Sequence, residues 1–160
     1  MRGGTLPAAL IFAALGFALS FAPRRIRFPA LLVAAITALA VLQVPSDISR
    51  AEVVYFACWA SVIVAAASVH LPGGVPEKAA VVLALACGAA AGAVIGLAGS
   101  LRDLAAALPA GLVILPASWL QASNRGIAVK VVSSWLIAIA MLAAALPLTP
   151  TPGYAPDHME

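Results

Sequence analysis

Residues Ala79 to Gly99, AAVVLALACGAAAGAVIGLAG, run for 21 positions without a charge. At 1.5 Å rise per residue, a helix of that length covers a bilayer core of about 30 Å. Inside the run, Gly88, Gly92 and Gly96 recur every fourth residue, and Ala84 and Ser100 extend the row at both ends. Residues four apart share one helical face, so this face is a groove almost without side chains. Lipid gains little from such a groove, whereas a neighbouring helix can press its backbone into it and collect dispersion and Cα–H···O contacts. The glycine row therefore reads as a helix-packing face, with a solute path beside the glycines as the alternative. Either way, this run is expected at the centre of a membrane bundle.

The rest of the chain agrees in class. Of 160 residues, 64% are hydrophobic and 9% charged, with a mean hydropathy of +1.08; soluble domains carry about 25% charged residues. A soluble domain of this size could not hide so much apolar surface, so lipid must cover the remainder. With so few charges, the net +3 reflects membrane orientation. It does not indicate nucleic-acid binding, because no basic face interleaved with aromatics is present. Cys58 and Cys87 both fall inside apolar runs and read as small core residues, without disulfide or metal-ligand spacing. No cofactor and no metal are expected.

Six apolar runs predict six helices, at about 6–21, 28–44, 53–69, 79–99, 104–120 and 127–146. The first ends in Ser20-Phe21-Ala22-Pro23 and meets Arg24, Arg25 and Arg27 without a small-residue cleavage site, so it reads as an uncleaved anchor helix. So short a hinge predicts an antiparallel hairpin of runs one and two. Pro45-Ser46-Asp47 ends the second run, and Ser46 or Asp47 is suited to cap the next helix. Leu71-Pro72-Gly73-Gly74-Val75-Pro76 closes the third. Asp103 suits the positive end of the fifth helix. Pro109 and Pro116 lie inside that fifth run, each expected to remove a backbone hydrogen bond and bend it; a re-entrant fifth segment would leave five spans. Residues 1–147 thus form one all-α domain, a compact bundle of about six transmembrane helices, with an extended proline-rich tail at 148–160.

Basic residues near helix ends set orientation. Arg24, Arg25, Arg27, Lys78, Arg125 and Lys130 fall on one side, six in all, against Arg2, Arg50 and Arg102 on the other. Both termini are therefore expected on the non-cytoplasmic face, in a bacterial inner membrane. Three pairs of landmarks also stand 75 residues apart, Arg27 and Arg102, Arg50 and Arg125, Leu71-Pro72 and Leu146-Pro147 (102 − 27, 125 − 50, 146 − 71). A three-helix unit duplicated once would be inverted across the membrane, although the segments between these landmarks agree poorly.

The six acids, Asp47, Glu52, Glu77, Asp103, Asp157 and Glu160, all lie outside the predicted runs. That argues against a carboxylate-based proton pump and against paired-acid hydrolysis. No His-Glu-x-x-His or Gly-x-Ser-x-Gly sequence is present. A serine hydrolase would need a base, and His70, at a helix end, reads first as an interfacial residue or C-cap. The best candidate site is the junction of the fifth and sixth runs. There the helix breaks at Pro109 and Pro116 would free backbone groups, with Ser118, Gln121, Ser123, Asn124, Arg125, Lys130 and Ser134 available to converge beside them. Positive charge without an intramembrane acid favours an anion or a zwitterion. The competing reading has Arg125 and Lys130 snorkelling to the cytoplasmic interface, with Trp119 and Trp135 anchored among headgroups.

Two functional classes are compatible with these features. The first is a small permease or channel-like component for a small polar or anionic solute. The alternative is a non-catalytic accessory or assembly subunit of a larger membrane complex, with an enzyme third. The expected partners are membrane lipid and either further copies of the chain or a partner membrane subunit.

Overall fold

Each apolar run becomes a helix because its backbone hydrogen bonds must be satisfied internally wherever lipid replaces water. The computed structural model describes residues 4–45 and 48–148, and these are all-helical with turns between. Arg2, the Ser46 or Asp47 cap and the tail beyond Leu148 lie outside the described residues. The helices are α1 (Thr5–Ser20), α2 (Arg24–Leu42), α3 (Ala51–Ser68), α4 (Glu77–Ala98), α5 (Leu101–Ala107), α6 (Ile114–Ala122) and α7 (Gly126–Ala145). A six-residue 3-10 segment, Leu108–Val113, joins α5 to α6, so the fifth run is one broken rod. Five of the six passes are long and apolar enough to cross a membrane; α1 is shorter, at 16 residues. The protein is an integral membrane helical bundle.

One local expectation is corrected. The arginine cluster is not a loop: Pro23 is extended (φ −54, ψ 138) and caps α2, so Arg24, Arg25 and Arg27 form its first turn. Pro109 and Pro116 do flank a break in the fifth run. The chain changes helix type between them, which places Pro109 at the start of the 3-10 segment and Pro116 in the first turn of α6. A missing N–H matters least at a helix start.

The centre of the bundle is α1, where the sequence expects α4. Ala8, Ile11, Phe12, Ala14, Leu15, Ala18 and Leu19 are all fully buried. The helix packs against α3, α4, the 3-10 segment, α5 and α6. A helix that is apolar on every side, with small residues between large ones, can be surrounded by protein. Its length of about 24 Å falls short of the hydrocarbon core, but a helix enclosed by others does not meet lipid along its sides. The hairpin expectation holds in direction, since Gly4 lies against Ala98 and Gly99 at the far end of α4, but not in packing. α1 and α2 share a turn but touch only lightly, and α2 packs most extensively along α4.

The α2–α4 pair is parallel. A Cβ on Gly88 would strike the carbonyl oxygen of Ala34, and one on Gly92 that of Ala38, a constant offset of 54 residues (88 − 34, 92 − 38). Ala30, Ala34 and Ala38 are the buried stripe of α2, so two rows of minimal side chains bring the backbones together. Gly96 is only partly buried.

Polar ties fix both ends of the bundle. At one end Arg25 pairs with Glu77 at 2.6 Å, Val75 N–H donates to Phe21 O at 3.2 Å, and Gln121 Nε2 donates to Ser20 Oγ at 2.6 Å. Gly74 makes the second of these possible: its φ is +83, and a Cβ there would stand 2.6 Å from Phe21 O. At the other end Thr5 Oγ1 donates to Asp103 Oδ1 at 2.6 Å, and Tyr55 O–H donates to Ala143 O. Asp103 also accepts from the Ser100 N–H at 2.7 Å, completing the α5 cap. The fifth run is thus tied to the start of α1 through Asp103 and to its end through Gln121. It traverses the bundle and is not re-entrant.

Packing does not repeat between the halves. α1 lies along α3, whereas α4, its counterpart in a duplicated unit, is not packed along α7. The 75-residue spacing therefore has no counterpart in the arrangement of the helices.

Candidate functional site

The candidate residues sit at the end of the bundle that carries most of the basic side chains, and they divide among separate pairings. Ser118 and Gln121 lie three apart on α6 and so share one side of it. Ser118 Oγ accepts from Arg27 Nη1 at 3.0 Å, while Gln121 reaches α1 at Ser20. The Ser20 hydroxyl itself donates to Phe17 O at 2.7 Å, so it is both donor and acceptor.

Ser123, Asn124 and Arg125 are exposed and form the turn that ends α6. Asn124 has φ +61, its N–H donates to Gln121 O at 3.1 Å, and the Arg125 N–H donates to Leu120 O at 2.8 Å. This pair of bonds around a left-handed residue is a Schellman termination, with asparagine in the place glycine usually takes. The polar stretch is required locally to stop one helix and start the next.

On α7 the two serines differ. Ser133 is fully buried, and its Oγ is without a hydrogen-bond partner among the described residues. Ser134 is exposed; its hydroxyl donates to Lys130 O at 3.0 Å and lies 3.4 Å from His70 Nε2. A nucleophile and its base work at about 2.6–3.2 Å with a third group orienting the base. Here the serine proton is engaged by a backbone carbonyl. The contact links α7 to the turn after α3. Lys130 is half-buried, and Val129 beside it packs with Ala18, Val69 and Ala117.

Pro109 and Pro116 both face outward. Inside the break, Gly16 of α1 takes up the space: a Cβ there would stand 2.7 Å from Gly111 O and 2.7 Å from Val113 Cγ1. The backbone groups at the break lie against α1.

One residue read from the sequence only as a topology charge has a larger part. Arg27 is half-buried, with Nε donating to Ala22 O at 3.0 Å and Nη1 to Ser118 Oγ at 3.0 Å. A signal for this exists in the sequence. The inward stripe Ala30–Ala34–Ala38, extended back by one helical step, reaches Arg27. With Arg24, Phe28, Ile114, Leu115 and Ser118 it lines a groove of about 180 Å³ between α2 and α6.

Comparison with protein-family models, with curated proteins and with solved structures gives no match for this chain.

Proposed function

We propose that this protein is a non-catalytic subunit of a larger membrane assembly, acting through its outer surface. The observation that carries the reading is the sealed interior around α1. Its large side chains Ile11, Phe12, Leu15 and Leu19 are fully buried along the helix, and the 3-10 segment closes on it at Gly16. A solute path needs polar groups that converge at depth. Of the polar side chains expected to converge, Ser118 bonds Arg27, Gln121 bonds Ser20 and Ser134 bonds the Lys130 backbone, while Ser123, Asn124 and Arg125 are exposed at one end. What remains available for interaction is the lipid- and partner-facing exterior, to which α7 contributes most of its surface, with only Val129, Ser133, Leu136 and Ala140 buried.

A second reading keeps the permease. It is favoured by the broken fifth run, whose 3-10 segment rests on α1 by a glycine-to-backbone contact and can act as a bend in transport. Mild detergent extraction and quantification of co-purifying chains test the first reading, with a stoichiometric membrane partner expected. Flux of small anions and zwitterions from vesicles holding the purified protein alone tests the second. Flux without a partner would overturn the first reading.

A further inference from the structure

The three arginines at the start of α2 are not equivalent. Arg25 is neutralised by Glu77 at 2.6 Å across to α4. Arg24 and Arg27, three apart and therefore on one side of α2, have no carboxylate partner among the described residues. Arg27 cannot simply swing into water, because its guanidinium is anchored to Ala22 O and Ser118 Oγ. Two of its five N–H donors are engaged and three remain, and Arg24 lines the same groove. Two neighbouring guanidinium groups without an acid repel each other unless an anion lies between them.

The groove below these charges is apolar. Phe28, Ile114 and Leu115 form its walls. Further along the same seam, past the point where Leu31 Cδ1 packs over Gly111, lies a second groove of about 240 Å³, lined by Ile36, Leu39, Leu104 and Leu108. α2 and α5 touch only lightly along it. From Arg27 to Leu39 is 12 residues (39 − 27), or about 18 Å of helix, close to the half-thickness of a hydrocarbon core of about 30 Å.

The geometry points to a binding site for an anionic phospholipid in the seam between α2 and the fifth pass, its phosphate bridged by Arg24 and Arg27 and one acyl chain lying along Phe28, Leu115, Ile36 and Leu39. Forked guanidinium donors suit phosphate oxygens. A headgroup with its own ammonium is disfavoured, because the second arginine repels it. The arginine-rich end is the one expected to face the cytoplasm, where the leaflet is rich in anionic lipid.

The test uses the full-length protein in mild detergent, offered equal amounts of long-chain phosphatidylglycerol and phosphatidylcholine, with retained lipid read by native mass spectrometry. One phosphatidylglycerol is expected to be retained in preference. Arg24→Gln should lower that retention about tenfold, the loss of one charge-assisted contact. Arg25→Gln should retain lipid like the parent, since Arg25 is already paired. Arg24 is exposed and its change leaves the Arg27 anchors in place, so folding is not at stake. Short-chain phosphatidylglycerol should be retained less than the long-chain form. Equal retention of the two headgroups, or an Arg24→Gln variant matching the parent, overturns the site. Full displacement by excess inorganic phosphate would mean a free-anion site and overturns it as a lipid site. Equal retention of short and long chains removes the acyl seam.

Discussion

Gly16 of α1 and Gly111 of the 3-10 segment meet so closely that any side chain on Gly16 would stand 2.7 Å from the Gly111 carbonyl oxygen. The opposing atom is backbone and cannot rotate away. Gly16→Ala should therefore destabilise the protein by about 1–3 kcal/mol, the usual range for overpacking. Gly126→Ala is the control, since its Cβ would lie 3.6 Å from a flexible Gln121 Cγ and should be neutral. Thermal unfolding of both variants in one detergent decides it; equal midpoints would show that the 3-10 segment yields freely.

Gly92 makes the same kind of contact with Ala38 on α2. Gly92→Leu should separate α2 from α4 and cost at least about 1–3 kcal/mol. Unchanged stability in the same assay would mean that this face meets lipid in the membrane.

Asn124 separates a structural from a ligand-binding role. It holds a left-handed conformation that a β-carbon disfavours by about 1–2 kcal/mol, so Asn124→Ala should lower stability by about 1 kcal/mol, while Asn124→Gly should equal or exceed the parent. An Asn124→Gly variant less stable than Asn124→Ala would refute the capping role.

The Ser20–Gln121 bond joins the enclosed helix to the fifth pass, and Arg25–Glu77 joins two exposed side chains. A double-mutant cycle on Ser20→Ala and Gln121→Ala should return a coupling of about 0.5–1.5 kcal/mol, as expected for a partly buried hydrogen bond. The same cycle on Arg25 and Glu77 should return less and should fade with salt. The reverse ranking would mean that the exposed pair is the stronger tie.

Arg25, Lys78 and Arg125 belong to the end fastened by the Arg25–Glu77 and Ser20–Gln121 contacts, and the Thr5–Asp103 tie marks the other. Single-cysteine labelling in cells is expected to find positions 25, 78 and 125 shielded from an impermeant reagent and Arg50 reactive. Labelling at Arg25 and protection at Arg50 would invert the proposed orientation, whereas the helix packing would stand.

Local composition alone was enough to give the helices. The apolar runs set the six passes, because length and the absence of charge leave a membrane chain no other way to satisfy its backbone. Gly88 and Gly92 mark a close-packing face, because spacing by four is a property of any helix. Which helix is wrapped by the others is a tertiary matter. α1 and α4 are both apolar on all sides, and only the sum of contacts with every neighbour gives the centre to α1. The pairings of the candidate residues are a tertiary matter for the same reason. Ser118, Gln121 and Ser134 are close in sequence, but their partners Arg27, Ser20 and His70 are 91, 101 and 64 residues away. Asn124 resembles a ligand in composition, whereas its role depends on a backbone angle that composition does not reveal. The seam beside Arg24 and Arg27 exists only because α2 leans on α4 and leaves its other flank loosely packed against the fifth pass, a consequence of tertiary packing.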